Sequence, residues 1–324
     1  MYIRKKVRFK LLLNNSWIFM LVTASWSTLA VYLHEFVGWG LISIPIVPIS
    51  TIGIAVSLYL GFRSRASYDR WWEARKIWGD ISSASLGFLN QVNSLMYKEE
   101  TKEEAPDYMK KELLFRHLAW MTTLKHQLRN SINSTKTTNY LKEHLNKDEL
   151  EKVFQKTNPA THIILNQAQA LKDILRKGYF DSMRHREING LLLTFYESQE
   201  QCERIKRTPF PRYFSYLGQV FTWMFIVLLP LGFLDTFSDE GARYIQDVSL
   251  KKEYMFILVP FTVILSWIFF MMEKVSDDLE DPFNDDINDI PLDSIIRSVE
   301  IDILQSLNEE NIPNSILPID DILH

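Results

Sequence analysis

Four apolar segments, each long enough to cross a bilayer, limit what this chain can fold into. They lie at residues 17–33, about 41–62, about 213–234 and 254–272. A helix needs about twenty predominantly apolar residues to span the hydrocarbon core. In lipid the backbone must satisfy its own hydrogen bonds, which leaves helices and closed barrels. The runs are continuous rather than alternating, so they predict helices. Pro45 and Pro48 sit near the start of the second segment, where a helix loses little by their missing N–H. Pro230 and Pro260 lie within the third and fourth. The near-neutral mean hydropathy conceals this clustering. Nine tryptophans fit a chain with rings at membrane interfaces.

Short-loop charges set the orientation. Arg4, Lys5, Lys6, Arg8 and Lys10 precede the first segment, and Arg63, Arg65, Arg70, Arg75 and Lys76 follow the second. The link between them, HEFVGWG, has no lysine or arginine. Both outer ends of this hairpin therefore belong in the cytoplasm. Arg204, Lys206, Arg207 and Arg212 lead into the third segment, and parity places the C-terminus inside as well. The basic start also suits a signal peptide, but no small-residue cleavage site follows and a second apolar run arrives at once.

Residues 63–212 are polar and carry apolar positions at helical spacing, as in DRWWEARKIWGDISSASLGFLNQVNSLMY and APDYMKKELLFRHLAWMTTLKHQLRNSI. The expected architecture is an all-α membrane protein with four transmembrane helices and a large helical cytosolic region. It divides into a first hairpin at 1–62, a cytosolic body at 63–212, a second membrane pair at 213–272 and an acidic cytosolic segment at 273–324.

Composition removes several classes of function. A net charge of −4 without a basic, aromatic-interleaved stripe gives no case for nucleic acid. The single cysteine, Cys202, excludes an intramolecular disulfide and reads as a packing residue. His117 and His126 are nine residues apart, and no HExxH, G-x-S-x-G, Walker loop or dinucleotide fingerprint occurs. With no nucleophile, base and orienter in view, the chain does not read as an enzyme. Asn133 begins an NST glycosylation match, but the topology puts it in the cytoplasm. The acidic run SDDLEDPFNDDINDIPLD has two readings, a cation-binding loop and a solvated face; it lacks the spacing of an EF-hand.

Two stripes on the second segment carry more information. Gly53, Ser57 and Gly61 recur every four residues, a pattern that permits close helix packing in lipid. Beside them, at the same spacing, run Ile54, Leu58 and Phe62. If identical helices surround an axis, this second stripe points into a lumen, where apolar rings gate by dewetting. Any membrane helix also contains apolar residues four apart, so spacing alone leaves both readings open.

The blocks GFRSRASYDRWWEARKIWG, WMTTLKHQLR, RTPFPRYFSYL and DDLEDPFNDDINDIPLD, in this order over about residues 5–310, resemble the bestrophin family of ion channels, specifically its bacterial members. The resemblance implies a homopentamer around one central pore, a helical cytosolic vestibule, and residence in the bacterial inner membrane with lipid as neighbour. It implies a hydrophobic pore neck at Ile54, Leu58 and Phe62, and a second, cytosolic constriction nearest Met183. Animal members bind calcium at a continuous acidic run after the last span. Here Asp285, Asp286 and Asp289 occupy that stretch as metal candidates, but Ile287 interrupts it and Pro291 follows early, which argues against a tight calcium site. No cofactor is required. The permeating species are monovalent ions. Animal members pass anions and bacterial ones are associated with cations; the acidic balance and charge-free neck lean slightly to cations. The rival reading is a membrane-anchored scaffold or regulatory protein whose cytosolic helices recruit partners.

Overall fold

The computed structural model describes residues 1–4, 8–132 and 134–324. Lys5 and Lys6 of the basic run, and Asn133, lie outside the described residues. Among the described residues eleven α-helices follow in chain order: α1 (Phe9–Glu35), α2 (Ile46–Leu95), α3 (Asp107–Leu128), α4 (Thr135–His144), α5 (Lys147–Phe154), α6 (Pro159–Arg176), α7 (Ser182–Arg207), α8 (Arg212–Tyr244), α9 (Val248–Tyr254), α10 (Leu258–Asp278) and α11 (Leu292–Ser306). Isolated bridges such as Tyr2 with Ile322 are the β-type pairings among the described residues. Four stretches are long and apolar enough to cross a membrane: Ser16–Glu35, Gly40–Leu95, Arg212–Tyr244 and Val248–Asp278.

Local sequence explains where these helices begin. Ser134, Asn146, Asn158 and Asp181 each accept a hydrogen bond from a backbone N–H of the turn they open. Such caps satisfy donors that a helix start leaves orphaned. Pro48 falls at the third residue of α2, in a first turn where its cost is small, and Pro260 follows the 3-10 turn Met255–Ile257 that joins α9 to α10. Pro230 lies in the interior of α8. The shift of composition after Phe62 leaves no mark on the backbone, because α2 continues unbroken for 50 residues.

The chain forms two compact units. One comprises residues 4–69 and 210–280, and the other residues 1–3, 70–209 and 281–324. In the membrane unit, Ile49, Val56 and Leu60 of α2 bury against Phe225 and Leu229 of α8. A second small cluster gathers Val31, Leu234, Met255 and Leu258. Polar pairs join its helices: Ser27 Oγ and Thr262 Oγ1 lie 2.8 Å apart, and Trp267 Nε1 donates to Ser16 Oγ at 2.9 Å. Between helices in lipid such bonds contribute because hydrophobic burial offers little there.

The polar-composition unit has one continuous core, with Trp78, Phe88, Trp120 and Phe195 among its buried side chains. His117 is enclosed by Phe88, Trp120 and Phe195 and shares a 2.8 Å hydrogen bond with Ser85 Oγ. Burial lowers its pKa to about 3, so it is a neutral core residue. Cys202 is fully buried and burial pushes its thiol well up, which makes it inert packing.

Candidate functional site

Within the membrane unit, α2 has two contrasting faces. Val56, Leu60 and Arg63 are buried against the chain's own helices. Ile54, Leu58 and Phe62 are 71%, 61% and 64% exposed, so this chain provides no cover for them. Within this chain the three small residues meet different surroundings. Gly53 is buried, and a Cβ there would stand 2.7 Å from the Phe225 ring of α8. Ser57 is half-buried, while Gly61 is exposed with no atom of the chain within 4 Å of a Cβ position. The phase of the helix therefore turns Gly53 inward and Gly61 outward.

Arg63 fixes that phase. Its side chain is 1% exposed, and its Nη1 donates to Glu273 Oε1 at 3.0 Å. Nη2 donates to Asp277 Oδ1 at 3.2 Å and to Glu280 Oε2 at 3.3 Å. Ser215 Oγ also donates to Glu280 Oε2, at 2.8 Å. Gly218 on α8 makes room for Tyr59, one turn before the arginine: a Cβ there would stand 3.1 Å from Tyr59 Cε1. Tyr59 in turn donates its hydroxyl to the Phe214 carbonyl at 2.7 Å. Inspection of the sequence treats Arg63 as one of several inside-facing anchors. The missed signal is the spacing of Glu273, Asp277 and Glu280, which puts two carboxylates one turn apart near the end of α10 and a third just beyond it.

The acidic segment is engaged in its own unit by α3. Asp293 receives Lys125 Nζ at 2.7 Å and Arg129 Nη1 at 2.6 Å. Burial would raise the Asp293 carboxyl, but these two cations bring it down to about 2. Asp285 accepts from Arg129 Nη2 at 2.8 Å and lies 3.1 Å from His324 Nδ1. Asp286 donates its backbone N–H to Asp289 Oδ2 at 3.1 Å. Asp289 is 2% exposed, and burial raises its pKa to about 6 despite hydrogen bonds from neighbouring amides. Its Oδ1 has no hydrogen-bond partner among the described residues. No three His, Cys, Asp or Glu side chains among the described residues converge as a metal-binding group. Asp286 and Asp289 are thus bonded to each other while Asp285 is paired with Arg129, and two of the sequence blocks singled out above, WMTTLKHQLR and DDLEDPFNDDINDIPLD, are joined by the ion pairs of Lys125 and Arg129.

Met183 opens α7, where the Asp181 carboxylate caps its N–H at 2.7 Å and that of Arg184 at 2.9 Å. Its thioether side chain is 70% exposed. His126 lies against Lys125 and Arg129, and burial followed by those charges lowers it to about 4.

Among the described residues the chain is all-α, with four stretches long and apolar enough to span a membrane and an exposed apolar stripe on one of them. Comparison with known proteins narrows this description. The family model described as "Bacterial/Fungal Bestrophin protein" matches residues 12–305. The "Voltage-dependent anion channel-forming protein YneE" of Escherichia coli K12 is 30% identical over 278 residues, covering 86% of this chain and 82% of that protein. Its Salmonella typhi counterpart is 29% identical over the same coverage. A crystal structure of a bacterial bestrophin homologue from Klebsiella pneumoniae superposes with a TM-score of 0.78 at 23% identity, covering 91% of this chain and 99% of that one. The chain belongs to the bestrophin family.

Proposed function

We propose that this chain is one subunit of a homopentameric channel that conducts monovalent ions passively along a five-fold axis. Ile54, Leu58 and Phe62 form three stacked apolar rings at the neck of the pore. Water leaves such a constriction when it narrows, because the walls return less hydration than an ion gives up, and conduction resumes when it widens. The observation carrying this reading is the exposure of these three side chains on a helix whose opposite face is buried. Met183 stands at the second, cytosolic constriction, where a flexible thioether narrows a path without fixing a charge preference. Gly61 lies where a neighbouring subunit can approach the exposed face closely. The subunit sits among lipids in the bacterial inner membrane, with both termini cytoplasmic.

No cofactor is needed for this conduction. Calcium at Asp285, Asp286 and Asp289 is a modulatory option, supported by the unpartnered Asp289 oxygen and opposed by the Arg129 guanidinium already paired with Asp285. On selectivity, the overall acidic balance leans to cations, whereas the relatives named above are called anion channels. We place anions first, since charges beyond about 8 Å are screened and local groups at the pore outweigh a chain-wide sum.

The test uses purified protein in sealed vesicles and planar bilayers. Ion flux is expected from the wild type, and a scaffold or regulatory protein shows none. Replacing both Leu58 and Phe62 by alanine widens the apolar rings, and conductance should rise about tenfold. Unchanged conductance in that variant rules out the neck assignment. A reversal potential measured under an NaCl gradient gives the sign of the preferred ion.

A further inference from the structure

The face of α2 that carries Ile54, Leu58 and Phe62 does not end at Phe62. At about 100° per residue, these three span an arc of about 80°, and Arg65 and Asp69 fall inside the same arc. Both are exposed, at 74% and 53% of their side chains, and both lie in the membrane unit with the three apolar residues. Arg65 Nε donates to Asp69 Oδ2 at 3.0 Å, one helical turn apart. Arg63, two residues earlier, points about 140° away from the centre of that arc and is tied to α10. The tether prevents the helix from exchanging its faces, so the charged pair is held on the apolar stripe's side.

We infer that Arg65 and Asp69 form the charge-selecting collar at the inner end of the neck. The inference rests on the neck reading above. Arg65 lies about 4.5 Å along the helix beyond Phe62, and Asp69 about 6 Å further. An ion leaving the wetted neck meets its first formal charge on this face within a Debye length, so that charge biases which sign of ion passes. That charge is the guanidinium, which stabilises an anion and repels a cation. Asp69 attenuates it by pairing. The collar thereby supplies what an uncharged neck lacks, a sign preference. It also explains how a chain of net charge −4 can favour anions at its constriction.

Exposed i,i+4 pairs contribute about 0.3–0.5 kcal/mol, so neither residue is needed for folding and both can be neutralised in an intact channel. The experiment compares wild type, Arg65→Gln, Asp69→Asn and the Leu58→Ala/Phe62→Ala variant in planar bilayers under one NaCl gradient. Arg65→Gln should lower the chloride-to-sodium permeability ratio about threefold or more, and Asp69→Asn should raise it by a similar factor. Both shifts should shrink between about 0.1 M and about 1 M salt, where the Debye length falls to about 3 Å. Reversal potentials equal to wild type in both variants, or shifts in the same direction, overturn the collar. If the Leu58→Ala/Phe62→Ala conductance rises in that case, the neck stands without it. If that conductance is also unchanged, the neck and the collar fall together.

Discussion

The two units of this chain solve the problem of holding helices together in different ways. The unit built from residues 70–209 and 281–324 surrounds a continuous core around Trp78, Phe88, Trp120 and Phe195. A chain of buried polar groups is paired inside it: Trp120 Nε1 donates to Gln199 Oε1 at 2.9 Å, and Gln199 Nε2 donates to Glu203 Oε1 at 2.8 Å. The membrane unit has only small buried clusters and leaves Ile54, Leu58, Phe62 and Ile264 largely exposed. In water such a surface would be an aggregation liability. In a bilayer it is solvated by lipid or covered by copies of the chain. The first unit thus has a continuous apolar core, while the second has two small clusters whose helices are joined by specific polar contacts.

That contrast makes Arg63 the sharpest point at which to break the membrane unit. Arg63→Ala leaves Glu273 and Glu280, both mostly buried, without their countercharge. Removing one partner of a buried ionic cluster costs about 3–5 kcal/mol. Thermal unfolding in detergent should show a loss of this size, with Arg63→Lys recovering part of it. A loss below about 1 kcal/mol, the range of an exposed pair, would mean that α2 is held by apolar contacts after all.

The companion prediction concerns the other unit and is smaller. Asp289 has a folded-state pKa raised to about 6 by burial, so the folded form holds a proton that the unfolded chain releases. Its contribution is fully present below the ordinary carboxylate value and is lost as pH rises through about 6. Asp289→Asn should flatten that decline and be more stable than wild type by about 1–2 kcal/mol at about pH 7.5. Melting curves that stay parallel from about pH 5 to about pH 8 would contradict the burial argument. Asp293 works in the opposite sense, since its pKa is lowered to about 2 and its ion pairs with Lys125 and Arg129 fail only as pH falls toward that value.

These residues also mark what could be read from sequence. The four membrane segments were legible because lipid admits only long apolar runs, and the helical body because its apolar residues keep a helical period. The continuity of α2 was not, since the change of composition at Phe62 and Arg63 reports a change of solvent while the backbone stays helical. The exposed stripe at Ile54, Leu58 and Phe62 follows from spacing together with the family resemblance. The role of Arg63 depends on partners 210 to 217 positions away, which local pattern does not connect. The acidic segment misled in part: a run of carboxylates reads as one loop, yet Asp289 is buried while Asp285 pairs with Arg129.

The central claim is that the exposed stripe of α2 faces water and ions. The native chain has a single cysteine, Cys202, buried and inert, so a cysteine placed on the stripe reports alone. Leu58→Cys, reconstituted in planar bilayers and treated with a charged, water-soluble thiol reagent, gives the most direct measurement. The account predicts progressive block of the current by the reagent, with no effect on the wild type. A Leu58→Cys channel that conducts and keeps its full current after treatment would contradict it.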